Sequence, residues 1–421
     1  MNVYKFGGAS IATPERMQAL LPIMNEVTEP LILVVSAYGK TTNALEEIVA
    51  KACKGQKQDA KQLAQQLEEA HTQYASALLQ PPFLTEALKA LTVLFTELQW
   101  AIDDASETRY DYSYDQIVCM GELMSTTIFY HYLNQNGLNY EWVDARDIIR
   151  TDDTYRDAKV DYEFSATQAE KIIGAKLKKG SCVIIQGFIG ATSDNTSVTL
   201  GREGSDYTAA LLAAMLGAQG VTIWKDVEGL QNADPKEFSN TVKIEAITYH
   251  EVIEMAYYGA QVIHPKTIKP LQNNKIPLYV KCFLNKDMKG TVIQNEVNSM
   301  FYPPLIILKK NQTLLQVTTK DFSFITEDNL SYLYRIFHDL KIKINLIQNA
   351  AISFVACIDN NEQKLDMLLN KLEEHYKVLR NDNVSLLTVR HYTPEILFDL
   401  VKSRYQLLEQ KTRQTVQVVI K

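Results

Sequence analysis

Short apolar segments alternate with helical patterns along the first 293 residues of this 421-residue chain. The segment Leu31–Val35 is apolar at every position, as expected of a strand whose two faces are both covered by helices. This alternation predicts an α/β domain with a mainly parallel central sheet. The predicted strands are Asn2–Phe6, Leu31–Ser36, Tyr140–Asp144, Cys182–Gly187, Val221–Trp224 and Ile276–Cys282.

Several loops follow the predicted strand ends, which is where parallel sheets bind their ligands. If the strands are parallel, these loops converge on one cleft, and that convergence is the main reason to expect an enzyme. The loops are Lys5–Gly8, Ser36–Thr42, Gln186–Gly190 and Lys225–Gly229.

Two glycine-containing turns have the composition of anion sites. Gly7-Gly8 separates the first strand from a helix predicted over Thr13–Met24, and glycine lets backbone N–H groups approach phosphate oxygens closely. The turn Gly201–Asp206 opens the apolar helix Tyr207–Leu216, and its Arg202 can hold a carboxylate through two parallel hydrogen bonds. The G-x-x-x-x-G-K-[ST] and G-x-G-x-x-G fingerprints are absent. Taken alone, Gly7-Gly8 is more often a tight turn than a phosphate site, and the turn Gly201–Asp206 is as often a capped helix start as an anion site.

Charge and composition narrow the classes of partner. A net charge of −7 and a pI near 5.6 argue against nucleic acid as the main partner. The longest apolar segments, Leu31–Ala37 and Ala209–Ala218, are too short to span a bilayer, and the first residues lack an export signal. The five scattered cysteines form no C-x-x-C pair, which predicts reduced thiols and a cytoplasmic location. The histidines show no metal-ligand spacing.

Residues 43–108 differ from the rest of the first domain. They are rich in Ala, Leu, Gln, Glu and Lys, and Pro81-Pro82 divides them into a predicted antiparallel pair of helices. This helical excursion is interpreted as a solvated extension, a lid or an oligomer contact.

The pattern changes again after Pro303-Pro304. A strand–helix–strand–strand–helix–strand order predicts a small two-layer α+β region without a cluster of chemically active residues, so binding or assembly is its expected role. The first repeat comprises strands Leu314–Thr318, Ile342–Ile347, Ile352–Ile358 and Tyr376–Leu379 with helices Glu327–Leu340 and Glu362–His375. A shorter repeat comprises strand Val384–Val389, helix Pro394–Arg404 and strand Thr415–Ile420.

Seven motifs, in order along residues 2–293, resemble those of the aspartate kinases. They resemble K-F-G-G-[TS]-S, S-A…T-N, G-E-x-x-S, Q-G-F-I-G, T-L-G-R-G-G-S-D-Y, W-T-D-V-x-G…A-D-P and F-G-A-K-V-[IL]-H-P-x-T. Their positions are Lys5–Ser10, Ser36–Asn43, Gly121–Ser125, Gln186–Gly190, Thr199–Tyr207, Trp224–Pro235 and Tyr258–Thr267. The resemblance implies a three-layer α/β/α amino-acid-kinase fold over residues 1–298, followed by an ACT-like regulatory region at 304–421 with a shortened second module.

The resemblance also implies an activity, namely transfer of the ATP γ-phosphoryl group to the side-chain carboxylate of L-aspartate. The product, 4-phospho-L-aspartate, leads to lysine, threonine and methionine. Mg²⁺ would enter with the ATP phosphates, and a general base is not needed because the acceptor carboxylate is ionised at neutral pH. The implied catalytic residues are Lys5 and Asp206. The implied substrate-binding residues are Ser36, Thr42, Glu122, Phe188, Arg202 and Ser205, and the implied nucleotide-binding residues are Lys5, Gly7, Gly8, Lys225, Asp226, Gln231, Lys236 and Gln261.

Particular roles follow from the same resemblance. Lys5 and the glycine amides would hold the moving phosphoryl group, and Asp206 would orient Lys5. Arg202 would bind the substrate α-carboxylate, and Glu122 would pair with its α-ammonium group.

The chain departs from the family pattern at five positions. The usual Thr, Tyr, Arg and Lys of the nucleotide half are replaced, and a glycine of the substrate turn is lost. We hypothesise that Lys225 supplies the positive charge that is missing at Gln261. The replacing residues are Lys225, Gln231, Lys236, Gln261 and Glu203.

Two other interpretations stay open. One is another kinase of the same superfamily, acting on N-acetylglutamate, glutamate, carbamate or UMP. The other is a non-catalytic ACT-containing amino-acid sensor with a degenerate nucleotide site. The resemblance to aspartate kinases implies a homodimer or larger even homo-oligomer, with lysine or threonine as an effector at the ACT interface.

Overall fold

The structure is a computed structural model that describes residues 1–297 and 302–421. The domain boundary predicted at residue 298 lies outside these ranges. The chain forms two compact units, and the first contains residues 1–230, 245–253 and the described residues from 263 onward to 297. The second contains residues 231–244, 254–262 and 302–421. Two short segments that the sequence analysis placed in the catalytic domain therefore pack within the second unit, and the functional division of the chain stays a prediction.

The elements of the first unit alternate much as the sequence predicted. Its helices are α1 (Pro14–Gln18), α2 (Leu21–Asn25), α3 (Thr41–Cys53), α4 (Lys57–Leu78), α5 (Phe83–Asp104), α6 (Tyr110–Val118), α7 (Met120–Gln135), α8 (Tyr162–Ala169), α9 (Ala175–Lys178), α10 (Gly204–Leu216), α11 (Tyr249–Tyr258, ending in the second unit) and α12 (Pro265–Asn273). Its strands are β1 (Asn2–Phe6), β2 (Leu31–Val35), β3 (Tyr140–Val143), β4 (Cys182–Gln186), β5 (Ile189–Ala191), β6 (Ser197–Thr199), β7 (Val221–Lys225), β8 (Ala246–Thr248), β9 (Leu278–Cys282) and β10 (Thr291–Gln294).

A mainly parallel eight-stranded sheet forms the centre of this unit, in the order β3-β4-β2-β1-β7-β9-β10-β8. The strands from β3 to β9 run parallel to their neighbours, β10 is antiparallel to β9, and β8 is parallel to β10. Helices α7 and α10 both pack on β2, whose five residues are all buried. The predicted α/β class with a mainly parallel sheet is confirmed.

The predicted helical excursion consists of α3, α4 and α5. The antiparallel arrangement of α4 and α5 is confirmed, since Lys57 at the start of α4 donates to the Ile102 carbonyl near the end of α5 at 2.6 Å. Tyr74 of α4 donates its hydroxyl to the Ile11 carbonyl at 2.7 Å, and its ring stacks on Tyr38 at 4.3 Å. Helix α4 therefore supports the loops that follow β1 and β2.

The second unit contains a six-stranded antiparallel sheet in the order β12-β13-β11-β14-β16-β15. The predicted C-terminal α+β region is confirmed in its architecture. Its helices are α13 (Glu327–Asp339), α14 (Glu362–Glu373) and α15 (Pro394–Val401). Its strands are β11 (Leu305–Thr319), β12 (Ile344–Asn349), β13 (Ser353–Asp359), β14 (Tyr376–Arg390), β15 (Gln406–Lys411) and β16 (Thr415–Ile420).

The two long strands differ from the sequence prediction. β11 extends the predicted strand by nine residues towards the N-terminus, and β14 joins two strands that the sequence analysis separated. The polar segment Lys309–Gln312 precedes the predicted strand and forms an irregularity in the β11–β14 ladder, with Asn311 at φ 54°. Asn383 takes a similar φ of 56° on the opposite strand. Both repeats therefore share one continuous sheet.

The sequence predicted reduced cysteines and apolar segments too short to cross a bilayer. All five cysteines are free thiols. Among the helices of the described ranges, none is both long enough and apolar enough for a bilayer crossing.

Candidate active site

A cavity of about 600 Å³ opens where β1, β2 and β7 end. The structure brings the four predicted loop regions together here, because each contributes at least one lining residue. Arginine and lysine side chains face carboxylates across the same space. The predicted site residues that line it are Lys5, Gly8, Ser36, Thr42, Glu122, Phe188, Arg202, Ser205, Asp206 and Lys225.

A buried ion pair lies in this cavity. Lys5 Nζ, on β1, is 2.6 Å from Asp206 Oδ1, in the first turn of α10, and both side chains are buried. A lysine ammonium has three donors, so Lys5 can hold an anion while it stays paired with Asp206. The family resemblance led us to expect that Asp206 orients Lys5, whereas spacing along the chain alone does not bring the two residues together.

The Glu122 carboxyl group is buried and only partly satisfied. Its Oε1 accepts the Ala37 backbone N–H at 3.2 Å, while Oε2 has no hydrogen-bond partner among the described residues. Burial raises the pKa of Glu122 to about 8, against the smaller opposing effects of the backbone hydrogen bond and of Lys5. A cationic group entering the cavity would satisfy Oε2 and restore the ionised form.

Helix α10 presents its N-terminus to the cavity. Arg202, just before it, is exposed and has no hydrogen bond or ion pair with any described residue. The Ser36 hydroxyl donates to Ser205 Oγ at 2.9 Å, so the loop after β2 is tied to this helix start. A side chain at Gly187 would collide with Ser205, so only glycine permits this close approach. The helix start therefore offers a guanidinium and a positive dipole end to an anion.

The contacts of Glu203 account for its presence at a position where the family pattern has glycine. It adopts φ 55°, a left-handed conformation that glycine would take without strain. Its Oε2 accepts the His264 backbone N–H at 2.8 Å, and the His264 side chain in turn caps α12 by accepting from Lys266 N–H. The carboxylate thus tethers the substrate turn to α12, which a glycine could not do.

The predicted nucleotide residues are only partly brought to the cavity. An added Cβ at Gly8 would collide with the Ala37 carbonyl oxygen, while one at Gly7 would lie 3.3 Å from Lys5 Nζ. Asp226 instead lies 3.8 Å from Arg16 in a half-exposed ion pair. Three further residues belong to the second unit and do not line the cavity, so their nucleotide role stays a prediction: Gln231, Lys236 and Gln261.

Sequence reasoning missed the lining residues Tyr114 and Arg156, and it quoted Thr199 in a motif without giving it a site role. Arg156 lies in an aperiodic segment between β3 and α8, where no local pattern distinguishes it. Thr199 and Arg156 are both bound by the buried Asp115 carboxylate, which is a purely tertiary feature.

The charges suit a small anion that also carries an ammonium group, together with a phosphate. The lining includes four cationic side chains together with the carboxyl group of Glu122: Lys5, Lys225, Arg156 and Arg202. Within the described ranges, no group of three or more His, Cys, Asp or Glu side chains could hold a metal ion. A metal brought by a nucleotide would be held mainly by phosphate oxygens, as in other phosphoryl transfers.

The sequence model of the amino acid kinase family matches residues 1–282. Lysine-sensitive aspartokinase 3 of Escherichia coli (strain K12) is 32% identical over 360 residues, covering 85% of this chain and 78% of the relative. Chloroplastic aspartokinase 3 of Arabidopsis thaliana is 30% identical over 391 residues, covering 88% of this chain and 68% of the relative.

Solved structures that superpose on this chain include aspartokinases. E. coli aspartokinase III in complex with lysine and aspartate, in the T-state, superposes with a TM-score of 0.83 at 26% identity, covering 100% of this chain and 95% of that chain. The complex of the same enzyme with aspartate and ADP, in the R-state, gives a TM-score of 0.81 at 27% identity, covering 100% and 96%.

Proposed function

We infer that this chain, which belongs to the aspartokinases of the amino acid kinase family, is an ATP-dependent aspartate kinase. It transfers the γ-phosphoryl group of ATP to the side-chain carboxylate of L-aspartate and forms 4-phospho-L-aspartate. The observation that carries this inference is the joint placement of Lys5, Asp206, Glu122 and Arg202 in one cavity. A non-catalytic sensor is less well supported, because such a chain has no need of the buried Lys5–Asp206 pair.

Phosphoryl transfer needs positioning and charge neutralisation more than covalent chemistry. We propose that Lys5 stabilises the charge on the transferred phosphoryl group while Asp206 holds the Lys5 ammonium in place. The acceptor carboxylate of aspartate is already ionised, so no side chain has to remove a proton from it. The loss of one donor aimed at transition-state charge typically costs about 3–4 kcal/mol, or about 10²–10³ in rate.

Substrate recognition is assigned to both ends of the amino acid. Glu122, with its free Oε2, would accept hydrogen bonds from the α-ammonium group, and Arg202 would bind the α-carboxylate. The rest of the pocket is formed by residues that line the cavity beside them: Ser36, Thr42, Phe188 and Ser205.

The nucleotide half is proposed on the family resemblance. ATP, with Mg²⁺ on its phosphates, would be bound by the glycine turn after β1 and by Lys225. The remaining assignments, which rest on the resemblance alone, are Asp226, Gln231, Lys236 and Gln261. The cytoplasmic location likewise stays a prediction.

Aspartate-dependent formation of an acyl phosphate tests the function directly. With ATP and L-aspartate, hydroxylamine should trap a hydroxamate, and L-glutamate should give none. Lys5→Ala should lower kcat by about 10²–10³, because a donor to the transition state is lost. Lys179→Ala removes an exposed lysine elsewhere in the first unit and should leave the rate unchanged. A folded wild-type protein that forms no hydroxamate would support the sensor instead.

The raised pKa of Glu122 predicts a pH dependence. Below a pKa of about 8 the free enzyme holds a neutral carboxyl group, which binds the substrate ammonium poorly. The value of kcat/KM for aspartate at saturating ATP should therefore rise with pH and level off above about pH 8. Glu122→Gln should lower kcat/KM and abolish this inflection. A profile that is flat from about pH 6 to 9 in the wild type would contradict the assignment.

The hypothesis on Lys225 is tested by the KM for ATP. Lys225→Ala should raise this KM about tenfold with little change in the KM for aspartate, because one charge-assisted contact to phosphate is lost. Lys225→Arg, which keeps the charge, should retain most of the affinity. An unchanged KM for ATP in Lys225→Ala would show that this lysine does not replace the charge missing at Gln261.

Regulation and assembly are proposed together. The E. coli relative is named lysine-sensitive, and its structure has been solved with lysine. We propose that lysine, or alternatively threonine, binds where the ACT-like regions (residues 304–421) of two subunits meet in a homodimer or larger even assembly. Lysine should then lower the initial rate of hydroxamate formation. It should also change the sedimentation coefficient or the midpoint of thermal unfolding, and glycine should change neither. A monomer whose rate is insensitive to both amino acids would contradict this proposal.

A further inference from the structure

Arg156 occupies the aspartate cavity without a role in the function proposed above. It lines the same space as Arg202 and Glu122, although it lies in the segment between β3 and α8. Its backbone takes φ 68°, a left-handed conformation that is unfavourable for a long side chain. An arginine kept at such a position, where glycine would fit without strain, indicates a use for its side chain.

The backbone of Arg156 is held by a buried carboxylate. Asp115, which is fully buried in α6, accepts the Arg156 backbone N–H at Oδ2 with a distance of 2.9 Å. The same carboxylate accepts the Thr199 backbone N–H at 2.9 Å and the Thr199 hydroxyl at 2.7 Å. One buried group therefore fixes the Arg156 segment to β6, the strand that leads into the Arg202 turn.

The guanidinium of Arg156 is oriented by its neighbours, but not all of its N–H donors are engaged by them. It lies over the ring of Tyr114, 4.5 Å from the centroid, and the Tyr114 hydroxyl donates to Glu46 at 2.6 Å. One nitrogen is 3.1 Å from Asp111 Oδ1, but this pair is about half exposed on both sides, so it is weak and replaceable. A guanidinium has five N–H donors, which leaves several for a ligand.

The Arg156 segment also packs directly against the turn that carries Arg202. A Cβ added to Gly201 would lie 2.6 Å from Asp157 Oδ1 and 3.2 Å from the Arg156 carbonyl oxygen. The two arginines therefore arise from neighbouring turns on the same side of the cavity.

We propose that Arg156 is a second substrate-binding arginine, which binds the α-carboxylate of L-aspartate together with Arg202. The proposal rests on the aspartate kinase function inferred above. The α-carboxylate is favoured over the side-chain carboxylate because a guanidinium bound to the acceptor oxygens would occupy the lone pairs that attack phosphorus. Two arginines from adjacent turns can share one carboxylate, which has about four acceptor sites.

The test compares Arg156→Gly with the wild-type enzyme. Glycine accepts φ 68°, so the segment keeps its conformation while the guanidinium is lost. The KM for aspartate should rise about 10- to 100-fold, with the KM for ATP and kcat nearly unchanged, because a charge-assisted contact in the bound substrate is removed. Calorimetric titration of aspartate without ATP should show the same loss. Arg156→Lys should restore only part of the affinity, since lysine lacks the planar fork.

Two variants separate a binding role from a structural one. Lys275→Gly is the matched control, because Lys275 is also an exposed cation with a positive φ, 55°, but does not line the cavity. This variant should have the wild-type KM for aspartate. Asp111→Asn breaks the surface ion pair of Arg156 but leaves its guanidinium in place, and should not raise the KM for aspartate. If Asp111→Asn reproduced the defect of Arg156→Gly, the arginine would serve only its ion pair, and the proposal would be overturned.

The substrate itself supplies the last control. The α-amide of aspartate lacks the charged α-carboxylate, so the Arg156→Gly penalty in its binding should largely disappear. A penalty of equal size for aspartate and its α-amide, or one confined to ATP, would overturn the proposal. Wild-type protein that binds aspartate without forming hydroxamate would refute the kinase function while leaving the calorimetric test of Arg156 valid.

Discussion

The active site depends on the buried ion pair between Lys5 and Asp206, because a buried charge without a partner would be strongly unfavourable. The pair joins the end of a central strand to the first turn of α10. It therefore fixes the N-terminus of this helix at the carboxyl ends of the strands. The position of Ser205, in the same turn, and of Arg202, just before the helix, therefore depends on this pair. The chemistry and the packing of this region are therefore linked, because the cation proposed to stabilise the transferred phosphoryl group also anchors the helix whose start is proposed to bind the substrate.

Close backbone contacts make the cavity possible. Gly8 approaches the Ala37 carbonyl and Gly187 approaches Ser205 so closely that any side chain would have to displace its neighbour. Helix α4 supports the same loops from outside through the Tyr74 hydroxyl and the stacked ring of Tyr38. The helical excursion thus contributes to the geometry of the site, whatever further role it has as a lid or an oligomer contact.

The sequence predicted the parts of the fold that local pattern controls. Continuously apolar segments such as Leu31–Val35 were recognised because burial on both faces leaves a simple signature. The edge strand Gln406–Lys411 was missed because it is polar and largely exposed, and β11 was shortened because the irregular polar segment Lys309–Gln312 resembles a loop. Arg156 was missed for a different reason: it enters the cavity through the tertiary contact of its backbone with Asp115, which no spacing along the chain reveals.

The two charged residues with positive φ at the cavity, Arg156 and Glu203, follow one physical rule. Each left-handed residue costs about 1–2 kcal/mol relative to glycine, and each is accompanied by a hydrogen bond that involves a carboxylate. The Arg156 N–H is bound by Asp115, and the Glu203 carboxylate binds the His264 N–H. Hydrogen bonds to charged groups contribute about 1.5–3 kcal/mol, which is enough to offset the strain. The Glu203 carboxylate is held by its hydrogen bond to His264, whereas the Arg156 side chain lines the cavity with only a half-exposed ion pair to Asp111. Of the two strained turns, the one at Arg156 adds positive charge to the cavity, whereas the one at Glu203 adds a carboxylate that is held by its hydrogen bond to His264, so both can be kept at a site proposed to bind an anionic substrate.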